Sequence, residues 1–386
     1  METTSPPSLA AIFLAFLRLG LTAFGGPAMV AYIRKLAVEE KKWISPESFR
    51  EGVAICQTVP GATAMQSAAY VGLRIRGVAG AAASFVGFGF PAFCLMMVLS
   101  AVYVQTHNLP QIVSVFNGLR VIIVALVANA TLTFSKTNLK GWKGVLIAVV
   151  IGVVFALGVN PILVILLAAF LGILIYHSKP FPVQPAKAQG KEHFDRTPVI
   201  ILGVFILGLG ALWLIDPQLF DLTTLMSKVD LMAFGGGFAS VPLMNREIVG
   251  IRSWLGNSVF LDGIAMGQIT PGPIVITATF VGFMIRGPIG AILATVGIFM
   301  PSFLMIVGIT PFFDRLRSYP NFNRAIEGIL NSFVGLLLFV TIQFALAIPW
   351  DIPRLLIGAG ALVALLLKRD ILWVVLIGGV ISAFVL

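Results

Sequence analysis

The chain has 386 residues, 58% of them hydrophobic and only 11% charged, and its mean hydropathy is +1.00. A water-soluble domain of this length has no use for so much apolar surface, and the composition predicts an all-α, polytopic membrane protein. The apolar runs do not alternate, which excludes barrel strands, and the net charge of +10 is read as Lys and Arg in cytoplasmic loops, not as a nucleic-acid surface.

A spanning helix takes about 20 apolar residues. The first half offers segments at roughly 9–32, 48–73, 78–105, 112–134, 143–159 and 161–177. The polar stretch from Ser178 to Thr197 follows, with three Pro, one Gly and mixed charges, and reads as a cytoplasmic linker. Residues 198–215 are again apolar enough to span, and the second half continues at 226–248, 258–283, 288–311, 326–347, 353–368 and 371–386. The predicted organisation is an N-terminal repeat over 1–177, the linker 178–197, an extra linking transmembrane helix at 198–218 and a C-terminal repeat over 219–386. Met1 to Ser8 lacks a charged n-region and a small-residue cleavage site, so no removable signal peptide is expected.

The two halves are written alike. Phe24-Gly25-Gly26-Pro27 returns as Phe234-Gly235-Gly236-Gly237, and Gln57-Thr58-Val59-Pro60-Gly61 as Gln268-Ile269-Thr270-Pro271-Gly272. Val71-Gly72-Leu73-Arg74-Ile75-Arg76-Gly77 returns as Val281-Gly282-Phe283-Met284-Ile285-Arg286-Gly287, and Pro91, Gly118 and Asn160 match Pro301, Gly328 and Asp370. Homologous halves with Gly and Pro interruptions at matching places point to a secondary transporter. The unpaired segment 198–215 turns the second repeat upside down, which predicts about 13 spanning segments with the N-terminus inside. Lys136, Lys140, Lys143, Arg74, Arg76, Arg315, Arg317, Arg324, Lys368 and Arg369 then fall inside, and Asp216, Asp221 and Asp230 outside. The loop from Arg34 to Glu51 is the exception, and its charges nearly cancel.

Proline inside an apolar helix removes a backbone donor, and glycine adds freedom. The Gln-x-x-Pro-Gly element therefore predicts a broken helix at membrane depth in each repeat, tolerated where it lines a cavity. The helix resuming after each break presents N–H groups and a positive dipole end to an anion, with the amides of Gln57 and Gln268 beside it. The Phe-Gly-Gly element is a second break or a tight packing point. The candidate substrate-binding residues are thus Gly25, Gly26, Gln57, Pro60, Gly61, Gly235, Gly236, Gln268, Pro271 and Gly272, joined by Arg120. Arg18 is a second cationic candidate, and Asp262 and Glu327 are candidate proton-coupling groups, because ionisable residues within spans are functional by default. Trp43 and Trp254 read as interfacial anchors. Three scattered His (His107, His177 and His193) and two apolar-flanked Cys (Cys56 and Cys94) give no metal set or disulfide framework. No Walker-type loop is present. No cofactor or enzymatic activity is expected.

These motifs together resemble the chromate ion transporter family in its long, two-domain form. The likeness runs from Phe24-Gly25-Gly26-Pro27 through Trp43, Gln57 to Gly61 and the Gly72 to Gly80 turn to Pro91. It repeats in the second half, where Gln268 to Pro273 is the fuller copy and Ala62 stands in the first where the pattern has proline. The resemblance implies an antiporter-like secondary transporter in the inner cell membrane. It would export chromate and give resistance to it, with sulfate as a competing tetrahedral dianion. An oxyanion importer of the same build is the alternative, and a membrane scaffold without transport is a second class. Besides chromate or sulfate, the expected partners are membrane lipid and, compatibly, a second copy in a homodimer.

Overall fold

The computed structural model describes residues 7–24, 28–177, 196–313, 316 and 318–386, and among these the regular structure is helical without strands. Gly25, Gly26, Pro27, Arg315, Arg317 and nearly all of the predicted linker, including His193, lie outside the described residues. The first repeat comprises α1 (Leu9–Thr22), α2 (Ala28–Arg34, continued by a π-helical turn at Lys35–Glu40), α3 (Pro46–Thr58), α4 (Thr63–Thr106), α5 (Pro110–Asn138), α6 (Trp142–Ala156) and α7 (Pro161–Ile175). The extra helix is α8 (Thr197–Ile215). The second repeat follows as α9 (Pro217–Met232), α10 (Ser240–Asn245, continued by a π-helical turn at Arg246–Ile251), α11 (Asn257–Ile269), α12 (Thr277–Ile309), α13 (Pro320–Leu346), α14 (Ile352–Leu366) and α15 (Ile371–Val385). By length and composition, α4, α5, α8, α12 with its flanking turns and α13 can each cross a membrane, and α1, α6, α7, α14 and α15 are shorter apolar helices. Side chains such as Leu207, Leu214 and Ile215 on α8 stand exposed, and no residue of that helix is buried.

Matched sequence positions perform matched local work. Asn160 caps α7 by accepting the Ile162 N–H at 2.9 Å, and Asp370 caps α15 by accepting that of Leu372 at 2.8 Å. Each π-helical turn is followed by a residue at φ 51°, Lys42 or Ser253. The next N–H reaches back over 2.8 Å, from Trp43 to the Ala37 carbonyl and from Trp254 to that of Ile248. Within α4 the backbone bends sharply at Arg76 (φ −143°, ψ 33°) and Gly77 (φ 60°, ψ −153°). The same bend recurs in α12 at Arg286 (φ −141°, ψ 28°) and Gly287 (φ 60°, ψ −151°). That conformation is essentially restricted to glycine. The two arms of each bend touch through glycine: a Cβ on Gly72 would fall inside 3.0 Å of the Gly80 carbonyl, and one on Gly282 inside 3.0 Å of the Gly290 carbonyl.

The chain forms two compact units, and neither is a single repeat. Unit 1 holds Met1–Val104, Glu192–Gly237 and Met266–Pro311. In it α1 packs on the second arm of α4 and α9 on the second arm of α12, through equivalent glycines: Gly87 abuts Phe13, and Gly297 abuts Thr223. Unit 2 holds Gln105–Lys191, Phe238–Ala265 and Phe312–Leu386. There Gly118 abuts Ser382, and the matching Gly328 abuts Gly172 and the Ala168 carbonyl. Lys143 Nζ donates to the Ile175 carbonyl at 3.2 Å, and Arg324 donates to the His177 carbonyl at 2.6 Å. The start of α6, the end of α7 and the start of α13 therefore share one end of this unit. Since α5 ends where α6 begins, the repeat-equivalent helices α5 and α13 run in opposite directions. They meet through Thr131 and Thr341, 210 positions apart, whose hydroxyls lie 3.2 Å from each other.

Candidate functional site

Unit 1 contains both Pro-Gly segments, and each is tied to the opposite repeat. The helix α3 stops at Thr58 and α4 starts at Thr63; α11 stops at Ile269 and α12 starts at Thr277 after a single 3₁₀ turn. The Gly61 N–H donates to the Ala233 carbonyl at 3.0 Å, and the Gly272 N–H donates to the Ala23 carbonyl at 3.1 Å. Ala23 and Ala233 are the residues that follow the equivalent helices α1 and α9, so the two bonds are a reciprocal pair. Gly61 and Gly272 take φ of 118° and 122°, where a β-carbon is strained. There is no room for one either: on Gly61 it would collide with Ser302 Oγ and on Gly272 with the Ala92 methyl.

With the Gly61 and Gly272 N–H groups engaged, backbone donors remain at the helix starts that follow them. The N–H groups of Thr63, Ala64 and Met65 have no intrahelical acceptor. The glycine pair of the second repeat closes on this region. Gly235 and Gly236 have φ of 91° and 97°, a Cβ on Gly236 would stand 3.1 Å from Thr63 Oγ1, and Gly237 lies against Ile274. Gln57 is exposed and Gln268 half-buried, while Pro60 and Pro271 are buried.

Three side chains that the sequence reading did not select complete this constellation. Gln66 is fully buried and donates through Nε2 to the Pro60 carbonyl at 2.6 Å. Ser302 Oγ accepts the Ala62 N–H at 2.9 Å and donates to Asp230 Oδ1 at 3.0 Å. Asp230, grouped in the sequence with Asp216 and Asp221, is 1% exposed. Its burial has a simple cause. Leu219, Thr223, Met226 and Asp230 fall on one helical face of α9, and the other three are buried as well. Asp216 caps α9 by accepting the N–H groups of Gln218 and Leu219, and it pairs with Arg286. Arg18 is exposed on α1.

In unit 2 two residues nominated for separate roles meet. Arg120 donates from Nε to Asp262 Oδ1 at 2.7 Å and from its second terminal nitrogen to Asp262 Oδ2 at 2.8 Å. A third bond reaches Asn117 Oδ1 at 3.1 Å. This is the planar, two-pronged geometry in which guanidinium holds carboxylate most firmly. Arg120 thus already carries a counter-ion. Nearby in the sequence of this unit, Arg246 donates to the carbonyls of Phe155, at 3.0 Å, and Gly158, and its guanidinium lies 4.8 Å from the Phe155 ring centre. Glu327 is half-buried on α13, one residue before the Gly328 contact with α7. Among the described residues no group of three or more His, Cys, Asp or Glu is arranged to hold a metal ion.

The family model described as chromate transporter matches twice, at residues 10–173 and 220–383. The two matches are in the same register as the paired capping, bending and crossing residues above, which supports an internal duplication. The chain is 43% identical over its whole length to an uncharacterised transporter of Methanocaldococcus jannaschii, covering 96% of that protein. It is 31% identical to the chromate transport protein of Cupriavidus metallidurans, over 95% of this chain and 90% of that one. A transporter of Bacillus subtilis strain 168, also uncharacterised, is 31% identical over 43% of this chain and 85% of its own length, so something close to one repeat stands as a protein there. No solved structure matches. With the family model covering both halves and relatives aligned over nearly the full length, this multi-pass helical membrane protein belongs to the chromate transporter family.

Proposed function

We propose that this chain is a secondary active transporter, not an enzyme, that exports chromate across the inner cell membrane and so confers resistance to it. The observation that carries the reading is the reciprocal crossing of the two Pro-Gly segments, Gly61 to Ala233 and Gly272 to Ala23. Transporters built from repeats bind substrate where interrupted helices of the two repeats meet, near the bilayer midplane. In this reading the repeats 1–177 and 219–386 are inverted by the extra helix at 198–218, giving about 13 spans with helices broken at membrane depth. The opposite directions of α5 and α13 favour that inversion. The oxyanion sits between Gly25, Gly26, Gln57, Pro60 and Gly61 of one repeat and Gly235, Gly236, Gln268, Pro271 and Gly272 of the other. It is held by N–H dipoles and amides, which suits a dianion that must be released again. Arg120 remains a candidate substrate-binding residue, and Asp262 and Glu327 are candidate proton-coupling groups.

Flux into liposomes tests this. The purified protein should move chromate along an imposed gradient. Gln268→Ala should raise the half-saturation concentration more than Gln57→Ala, because the second copy carries the fuller motif, and Pro271→Ala should impair flux more than Pro301→Ala. Sulfate entry without chromate flux identifies the importer instead, and no flux of either anion points to a scaffold. Parent-like kinetics in both Gln268→Ala and Pro271→Ala at equal abundance move the site elsewhere.

A further inference from the structure

Asp230 is a buried acid of unit 1 that the transport reading leaves unused. It is 1% exposed, its Oδ1 accepts the Ser302 hydroxyl, and its Oδ2 is buried with no hydrogen-bond partner. A carboxylate holds its charge in such a place only with a cation or several donors. Among the described residues the surrounding elements supply neither, the Ser302 hydroxyl apart. Helix α8 carries no titratable side chain. That of α12, Arg286, pairs with Asp216 at the far end of α9. On α9 itself stand Asp221 and Lys228, on α3 Glu47, Arg50, Glu51 and Cys56, and on α4 Tyr70, Arg74, Arg76, Cys94 and Tyr103. None of these is a hydrogen-bond or ion-pair partner of Asp230.

The link from Asp230 to the first Pro-Gly segment is a single hydroxyl. Ser302 Oγ takes the Ala62 N–H and gives its own proton to Asp230 Oδ1, so one serine fixes the segment and the acid together. We propose that Asp230 is a proton-binding site whose occupancy is linked to that of the oxyanion held at the crossing. The inference rests on the transport reading above. A dianion beside a buried carboxylate is repelled. Once a proton from solvent has added to Oδ2, the acid is neutral, Oδ1 still accepts from Ser302, and the repulsion is gone. Linkage is reciprocal: protonation raises anion affinity, and the anion raises proton affinity by the same factor. Unit charges about 10 Å apart at an effective dielectric constant near 20 make this on the order of 100- to 1,000-fold for a dianion. One proton moving with a dianion leaves one net negative charge transferred, which an inside-negative potential still drives outward.

The second repeat alone has this device. By the repeat register Asp230 corresponds to Gly20, Ser302 to Ala92 and Ala62 to Pro273, so the first repeat has neither acid nor hydroxyl, and the second segment has no N–H at that point.

The test uses full-length purified protein in weakly buffered detergent, with sulfate and chromate added separately against a protein-free blank. The parent should take up protons on anion addition, and its half-saturation concentration should rise on the order of 100- to 1,000-fold with increasing pH. Asp230→Asn should lose the proton uptake and flatten the profile; chromate's own protonation is common to both proteins and cancels. Ser302→Ala removes the donor that favours the ionised acid, so its profile should shift to higher pH, which keeps the test open if Asp230→Asn fails to fold. Parent flux without proton uptake, or unshifted profiles in the variants, overturns this inference and leaves the transport reading standing. Absence of anion flux in the parent overturns both.

Discussion

Removing one member of the Arg120–Asp262 pair separates a structural role from a substrate role. The carboxylate side chain is 1% exposed and the guanidinium 22%. Breaking a buried ion pair by deleting one partner costs roughly 3–5 kcal/mol, because the survivor is left charged and unpaired. The deeper survivor suffers more. Arg120→Gln removes both guanidinium bonds from the 1% exposed Asp262 and should fall near the top of that range. Asp262→Asn strands an arginine that keeps Asn117 Oδ1 at 3.1 Å and some solvent, and should fall near the bottom. The double variant buries two neutral amides that can bond each other, and should lose less than roughly 2 kcal/mol. Equilibrium unfolding in mixed micelles reads all four corners of the cycle. An Arg120→Gln protein as stable as the parent would refute the argument. Transport by the same proteins then settles the role: recovery in the double variant assigns Arg120 to the scaffold, whereas a stable but inactive double variant assigns it to the anion.

Gly77→Ala meets no atom within 4 Å, yet φ 60° with ψ −153° should cost about 1–3 kcal/mol through backbone strain alone; stability equal to Gly308→Ala, a helical site also in open space, sinks that account. Cysteines placed at Lys140 and at Arg324 should be labelled from the same side of the membrane, and labelling from opposite sides overturns the inverted topology. Asn160→Ala removes the cap of α7 and should lower stability by about 0.5–2 kcal/mol, whereas Asn160→Asp should not; equal losses would remove the capping role.

The features legible in the sequence were those that the backbone dictates. The repeated glycines include Gly77 and Gly287, where the backbone bends at positive φ, and Gly118 and Gly328, where a side chain has no room. Partner choice was not legible. Nothing local ties Arg120 to Asp262, 142 positions away, and each was nominated for a separate task. The burial of Asp230 was not read, because it was grouped with Asp216 and Asp221 as a charge run, although its spacing from Leu219, Thr223 and Met226 puts it on the buried face of α9. The N–H groups of Gly61 and Gly272, just before the helix starts expected to face an anion, each bond a carbonyl from the other half, a pairing that nothing local in the sequence announces.

That relation also explains why the acid sits in only one repeat. Backbone bonds at the crossing are reciprocal, so duplication preserves them, whereas side chains are free to diverge wherever space allows. In the first repeat space does not allow it. A Cβ on Gly20 would fall inside 3.0 Å of the Phe88 carbonyl, because α1 rests directly on α4 there, and a carboxylate cannot enter without separating the two helices. In the second repeat the same register position admits the Asp230 side chain. Gly20→Ala should therefore cost about 1–3 kcal/mol by overpacking, seen as a lower folded fraction in the same micelle unfolding assay, while Gly308→Ala stays near the parent. If Gly20→Ala proves as stable as Gly308→Ala, α1 and α4 can part, packing does not fix the asymmetry, and an acid introduced at position 20 should be tolerated as well.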